Sequence, residues 1–85
     1  MNEYTFKPQL VSFQAPKYIE FDEVAFIKLN ESIDEIKIII NANEIEDAIT
    51  KADQELKTII IFNYGIIPNI QFYRMTLKVI KIKNL

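Results

Sequence analysis

The stretch that decides the fold runs from Ile36 to Phe62 and has the sequence IKIIINANEIEDAITKADQELKTIIIF. It holds two isoleucine-rich runs, residues 36–40 and residues 58–62, on either side of a mixed segment at residues 43–56. In that segment apolar side chains recur every three or four residues, which predicts one stripe of an amphipathic helix. The pattern therefore predicts a strand–helix–strand core. The residues of the stripe are Ile45, Ala48, Ile49, Ala52 and Leu56.

The start of this predicted helix has the chemistry of a helix N-terminus. Asn43 is followed three residues later by Glu46, a spacing that resembles a capping box with Asn43 in the cap position. The carboxylates of Glu44, Glu46 and Asp47 also lie where the helix dipole is positive. We therefore expect the helix to begin at Asn43.

The residues before this core predict two more strands. Residues 4–14 are rich in apolar side chains but contain Pro8, which cannot donate to a sheet ladder, so they predict an edge strand or two short extended pieces. Residues 18–29 alternate with a period of two, which predicts a half-buried strand. The polar residues 30–34 then predict a turn that joins residues 24–29 and 35–40 as an antiparallel hairpin.

The residues after the core predict a loop and a last strand. Residues 58–62 are apolar on both faces after Thr58, which favours a central strand. Residues 63–69 carry both Gly and Pro, which favours a loop. Residues 70–82 predict a long strand. Its apolar phase moves by one residue between Val79 and Ile80, which indicates a β-bulge there.

The predicted order is therefore β-β-β-α-β-β in a single α+β domain over residues 1–85, a small two-layer fold with about five mostly antiparallel strands and one helix. The same order of elements is found in β-grasp domains, a similarity of architecture only. The alternative is one parallel β-α-β crossover that joins residues 36–40 to residues 58–62. The apolar character of both runs favours the crossover, because a β-grasp arrangement leaves one of them near an edge.

Composition limits the class of protein. Half of the 85 residues are apolar and only one is Gly, which is typical of a folded chain. There is no Cys, no secretion signal and no apolar run long enough for a membrane span, so we expect a cytoplasmic protein without a membrane partner. Lysine outnumbers arginine nine to one and isoleucine is abundant, a bias that fits an AT-rich source such as a phage or mobile element.

The residues needed for most enzyme chemistry are missing. Without His or Cys the chain cannot build a Ser-His-Asp or Cys-His arrangement, and the lone Gly65 excludes glycine-rich phosphate loops. Paired carboxylates such as Glu20 and Asp22 could hold Mg²⁺, but a solvated strand face explains them more simply. We expect no enzyme activity, no catalytic or metal-binding residue, no cofactor and no small-molecule substrate, since so small a core leaves little room for a pocket.

Charge is divided unevenly along the chain. Residues 1–56 carry a net charge of −7 and residues 57–85 carry +5, because all twelve acidic residues lie in the first segment. On the predicted last strand an aromatic residue and cations alternate, which favours nucleic-acid binding on a sheet face. The alternative is cross-strand ion pairs between Arg74 or Lys78 and the carboxylates of Glu20 and Asp22. The candidate nucleic-acid-binding residues are Phe72, Arg74, Lys78, Lys81 and Lys83.

Protein interaction is the function that we favour from the sequence. One helix would leave one face of the sheet uncovered, and several apolar residues lie in the predicted loop or on the last strand. We therefore expect a non-enzymatic protein–protein interaction or adaptor domain that acts through a sheet face or edge strand, with a protein partner or self-association. An accessory or inhibitor protein of a phage or mobile element fits this size. Nucleic-acid binding is the alternative. The candidate partner-binding residues are Tyr64, Ile66, Ile67, Phe72, Ile80 and Ile82.

Overall fold

The computed structural model describes residues 1–85 as a small α+β domain with three strands and two helices. The strands form one antiparallel sheet in the order β2-β1-β3, and the helices pack on one face of it. The α+β class and the antiparallel sheet are therefore confirmed. The prediction of five strands and one helix is wrong, because the chain forms three strands and two helices. The elements are β1 (Asn2–Phe13), α1 (Glu23–Ile33), β2 (Ile38–Ala42), α2 (Ile45–Tyr64), a 3₁₀ turn (Ile70–Phe72) and β3 (Tyr73–Asn84).

Strand β1 lies in the centre of the sheet, so the prediction of an edge strand at residues 4–14 is wrong. Pro8 is nevertheless placed where a proline is tolerated. Strand β2 pairs only with residues 2–6 of β1, so beyond Phe6 the strand has a neighbour on the β3 side alone. The missing N–H of Pro8 therefore falls in a half of β1 that has one open side.

Residues 23–33 form a helix, so the predicted strand at residues 18–29 and its hairpin are wrong. Asp22 caps the helix, because its Oδ1 accepts a hydrogen bond of 3.0 Å from the backbone N–H of Ala25. Leu29 and Ile33 are four residues apart and form the buried side of the helix. The alternation in the sequence does not reflect burial here, because Ile27 is exposed whereas Leu29 is buried.

The Asp22 cap predicts a measurable loss of stability. Replacing Asp22 with alanine leaves the N–H of Ala25 without its acceptor, and we expect the free energy of unfolding to fall by about 1 kcal/mol, within a range of roughly 0.5–2. Asp22→Asn, which keeps an oxygen acceptor, should recover most of that loss. Urea denaturation followed by circular dichroism measures both, with Glu31→Ala on the exposed side of the same helix as control. An asparagine as damaging as the alanine would contradict the capping role.

Helix α2 is longer than predicted and begins later. Its N-cap is Glu44, without a side-chain capping bond, so the capping box of Asn43 and Glu46 does not form. Residues 58–62 continue the helix, which removes both the β-grasp-like order and the β-α-β crossover. No Gly or Pro lies between Ile45 and Gly65, and each added helical residue gains a hydrogen bond while isoleucine costs no more than about 0.7 kcal/mol.

The apolar stripe of α2 also continues through the isoleucine run. Residues four apart are neighbours on a helix, so this row turns gradually around α2: it packs against the sheet from Ala48 to Ile60 and reaches the α1 side at Tyr64. Ala48 and Ala52 are completely buried, and their small side chains bring the helix close to Phe6 and Ile38. The row consists of Ala48, Ala52, Leu56, Ile60 and Tyr64.

The predicted bulge at Val79–Ile80 is confirmed by the strand register. Phe6 pairs with Val79 and Thr5 pairs with Lys81, which leaves Ile80 as the extra residue on β3. Because of this insertion, Lys81 follows Lys78 by three residues and still lies on the same face of the sheet. The bulge therefore keeps the basic residues of β3 together.

Candidate functional site

The face of the sheet opposite the helices is basic. Residues that pair directly across an antiparallel ladder share a face. Lys78 pairs with Lys7, Lys81 with Thr5 and Lys83 with Glu3, so the β3 lysines lie on the open face with the alternate residues of β1. Arg74 reaches the same face opposite Ser12, after a register shift at Val11. We call this surface the basic face; its cations on β3 are Arg74, Lys78, Lys81 and Lys83, all exposed.

None of these four cations makes an ion pair in the folded chain, although Glu3 is the cross-strand neighbour of Lys83. The one ion pair in the molecule joins the Lys7 Nζ to the Asp34 Oδ1 at 3.0 Å. Glu20 and Asp22 do not lie on a neighbouring strand, so the alternative of cross-strand ion pairs with Arg74 and Lys78 does not form. The basic face is therefore available to an external anion.

Acidic charge is concentrated in the opposite layer. The two helices carry six acidic residues and three lysines. The sheet thus presents positive charge on one side while the helices present mainly negative charge on the other. A net charge of −2 conceals this separation, which sets the side on which an acidic partner would approach.

Phe72 does not stand beside the cations as the sequence pattern predicted. It lies in the 3₁₀ turn before β3, and its ring packs edge-on against Phe13, with ring centroids 6.2 Å apart. The strand positions that face away from the helices carry no aromatic side chain. The basic face therefore offers charge without a stacking surface for bases.

The other candidate partner-binding residues do not form one patch. Tyr64 ends α2, where its hydroxyl shares a hydrogen bond of 2.9 Å with Ser32 Oγ and so joins the two helices. Ile66 follows in the turn and is 95% exposed, while Ile67 packs against the α1 core. Ile80 and Ile82 are exposed, but they lie far from this end of the molecule, roughly 23 and 30 Å along β3 from Tyr73. These residues thus contribute to two separate surfaces.

Strand β3 forms one edge of the sheet along its whole length of 12 residues. Its only neighbour is β1, so the backbone groups on its outer side have no partner strand. Beside this edge a cavity of about 430 Å³ lies between α2 and the start of β3. The apolar residues that line the cavity are Leu56, Ile60, Ile61, Ile70, Tyr73 and Met75.

The sequence pattern does not predict this cavity, because the apolar run at residues 58–62 also fits a strand. With α2 extended to Tyr64, Ile60 and Ile61 become one wall and β3 becomes the other. Asp53, Lys57 and Arg74 add charged groups to its lining. Arg74 therefore belongs to both the basic face and the cavity edge.

The pKa of Tyr73 lies above its ordinary value. Burial raises the pKa of its hydroxyl, and the negative charge of Asp22 raises it further. The hydroxyl therefore remains protonated at neutral pH and is a poor base. Tyr73 instead packs with Leu29 and Ile33 in the core beneath α1.

Two other kinds of site, a metal centre and a membrane-spanning helix, have no counterpart in the structure. No group of three or more acidic, His or Cys side chains is gathered so that it could hold a metal ion. Neither helix combines the length and the apolar character that crossing a membrane requires. Comparisons with protein families, curated proteins and solved structures gave no match for this chain. A function for this chain must therefore be inferred from the charge and shape of the basic face and of the β3 edge.

Proposed function

We propose that the protein is a small, non-enzymatic interaction domain that binds a protein partner through its basic face and the adjoining edge of β3. One observation supports this more than any other: four exposed cations lie on one strand and none of them makes an ion pair with a carboxylate of the chain. Charges arranged in this way attract an oppositely charged partner and orient it. The four residues are Arg74, Lys78, Lys81 and Lys83.

The surroundings of the cations favour a protein over a nucleic acid. The apolar cavity beside β3 suits side chains such as leucine or valine, whereas the charged phosphates of a nucleic acid would lose their hydration on entering it. The open face also lacks aromatic residues on which bases could stack. Nucleic-acid binding remains the second candidate, because unpaired cations on a sheet also attract phosphates.

Two further parts of the proposal rest on composition. The lysine- and isoleucine-rich usage supports an accessory or inhibitor protein of a phage or mobile element, and the absence of Cys supports a cytoplasmic location.

Photo-crosslinking tests the proposed surface directly. A photoreactive amino acid replaces Thr76, which is exposed on β3 and faces away from the helices, and the full chain is irradiated in extract of the source cells. We expect a discrete protein adduct from this position and none from the same substitution at Gln54, which is exposed on α2. Equal adducts from both positions, or none from Thr76, would overturn the proposal.

Charge reversal gives a second prediction. The double variant Lys78→Glu/Lys81→Glu places negative charge on the basic face, and we expect it to weaken partner binding at least about tenfold, since facing like charges are costly in an interface. The control is Lys28→Glu/Lys51→Glu, which makes the same change in net charge on the helices. Adduct yield from the Thr76 position measures both variants. Equal yields would show that the basic face does not contact the partner.

Fluorescence anisotropy separates the second candidate. Labelled 20-nucleotide single- and double-stranded DNA and RNA are titrated at 50 mM and at about 200 mM salt, between which phosphate-driven binding weakens sharply. Salt-sensitive binding that the basic-face variant abolishes would support nucleic-acid binding. No binding at the lower salt would reject it.

A further inference from the structure

We infer that the partner contributes an extended segment of alternating acidic and apolar residues, which adds to the free edge of β3 as a fourth strand. This inference rests on the proposed function and narrows it to one kind of partner. A strand with unpaired backbone groups on its outer side is the feature that strand addition requires. Strand β3 has that property over Tyr73–Asn84.

The two faces of β3 specify the alternation. Arg74 and Lys78 point to the open face, whereas Met75, Leu77 and Val79 are half-buried on the helix side. Side chains of an added strand continue the same two faces and pair with their neighbours on β3. Acidic residues would therefore lie beside the cations, and apolar residues would lie on the helix side.

The cavity gives the apolar side chains a place to bind. It opens between α2 and the start of β3, and its volume of about 430 Å³ lies within the range of roughly 300–1,000 Å³ found for ligand pockets. Leu56 and Ile60 line it from the helix, and Met75 lines it from the strand. Burying apolar groups there supplies free energy that charge pairing on the open face does not.

A second copy of the chain does not fit this edge. Strand β3 carries no acidic residue, so pairing two β3 strands would bring lysines of both copies close together, which is destabilising. The other edge, β2, presents Ile39 and Asn41 to the open face and offers no carboxylate either. The occupant must therefore be a different, acidic segment.

The bulge limits where the segment can pair. Ile80 interrupts the regular ladder, and bulges commonly end or deflect strand pairing at an edge. The regular part of β3 before it comprises residues 73–79. The added strand therefore pairs with these residues, beside Arg74 and Lys78.

Designed peptides test the inference on the full chain. The probe is a fluorescein-labelled, capped nine-residue peptide in which glutamate alternates with valine, titrated by anisotropy at 50 mM salt. We expect saturable binding that Lys78→Glu weakens at least about tenfold and that Lys51→Glu leaves within about twofold. A peptide of the same composition with its glutamates in one block should bind at least about tenfold more weakly, because it cannot place acidic and apolar groups on opposite faces.

Backbone methylation then distinguishes strand pairing from simple charge attraction. In a strand, alternate N–H groups point to opposite sides, so the glutamate amides and the valine amides face different ways. Methylating one set removes the hydrogen bonds to β3, while methylating the other set leaves them intact. We expect only one of the two methylated peptides to lose binding. Equal binding by both, or by the block peptide and the alternating peptide, would overturn the inference.

The outcomes for the inference and for the proposed function are separable. A crosslinked partner at Thr76 together with no binding of the alternating peptide would overturn the inference and leave the proposed function standing. No crosslink and no peptide binding would overturn both. A labelled 20-nucleotide RNA that binds with the same dependence on Lys78, in place of the peptide, would also overturn the inference and assign the basic face to nucleic acid.

Discussion

Replacing Phe6 with alanine is expected to lower the free energy of unfolding by about 3–5 kcal/mol. The Phe6 side chain is 1% exposed and lies on the central strand, between Ile38 of β2 and Val79 of β3. Removing the ring leaves a cavity where the sheet meets α2, and the loss includes both the transfer of the ring and that cavity. The free energy of unfolding of an 85-residue domain is roughly 4–13 kcal/mol, so at the low end of that range the variant would be largely unfolded.

Urea denaturation followed by circular dichroism measures the effect. Val11→Ala is the matched control, because Val11 lies on the same strand but is 57% exposed. Its loss should stay below about 0.5 kcal/mol. If the two variants lost similar amounts, the core would not lie between the helix side of β1 and α2. If Phe6→Ala fails to fold, Phe6→Leu should give a smaller loss that can be measured.

The parts of the fold that the sequence predicted well have one clear periodicity. Residues 43–56 have only one face on which their apolar residues can lie together, and most of them form the first part of α2. The bulge was predictable because the register of one long strand must account for every apolar residue, and the shift at Ile80 had no other explanation. In both places the periodicity of one segment was sufficient to predict the structure.

The errors come from segments whose pattern fits two structures. A run such as residues 58–62 is apolar on every side, so periodicity does not separate a strand from a helix. Packing decides it, since Ile59 and Ile60 lie against a core to which β1 and β2 contribute. A row of residues four apart, from Ala48 to Tyr64, was present in the sequence and would have favoured the helix.

The candidate site also combines features that one local pattern predicts with features that depend on contacts between distant segments. The basic character of β3 follows from its sequence, but whether those cations are paired depends on where Glu20 and Asp22 lie. Their position depends on whether residues 18–29 form a strand. The wrong prediction of a strand there allowed ion pairs with β3 and so hid the unpaired cations of the basic face. The cavity beside β3 needs residues from two elements far apart in the chain, and no local pattern predicts such a contact.

A pair of substitutions in α1 tests the largest change from the predicted fold. A strand over residues 18–29 would put Ile27 and Leu29 on the same face, so alanine at either position would have a similar effect. In the helix the two side chains diverge, with Leu29 3% exposed and Ile27 48% exposed. We therefore expect Leu29→Ala to cost about 2–5 kcal/mol and Ile27→Ala less than about 1 kcal/mol.

Equilibrium unfolding in urea measures both variants, and an unchanged slope with denaturant would show that they share a native state of the same compactness. Leu29→Met, which conserves volume, serves as control and should cost less than about 1.5 kcal/mol. Similar losses for Leu29→Ala and Ile27→Ala would contradict the helix. A large difference would place Leu29 on the buried side of α1 against Tyr73, and would support a helix that begins after Asp22 in place of a strand beside the basic residues of β3.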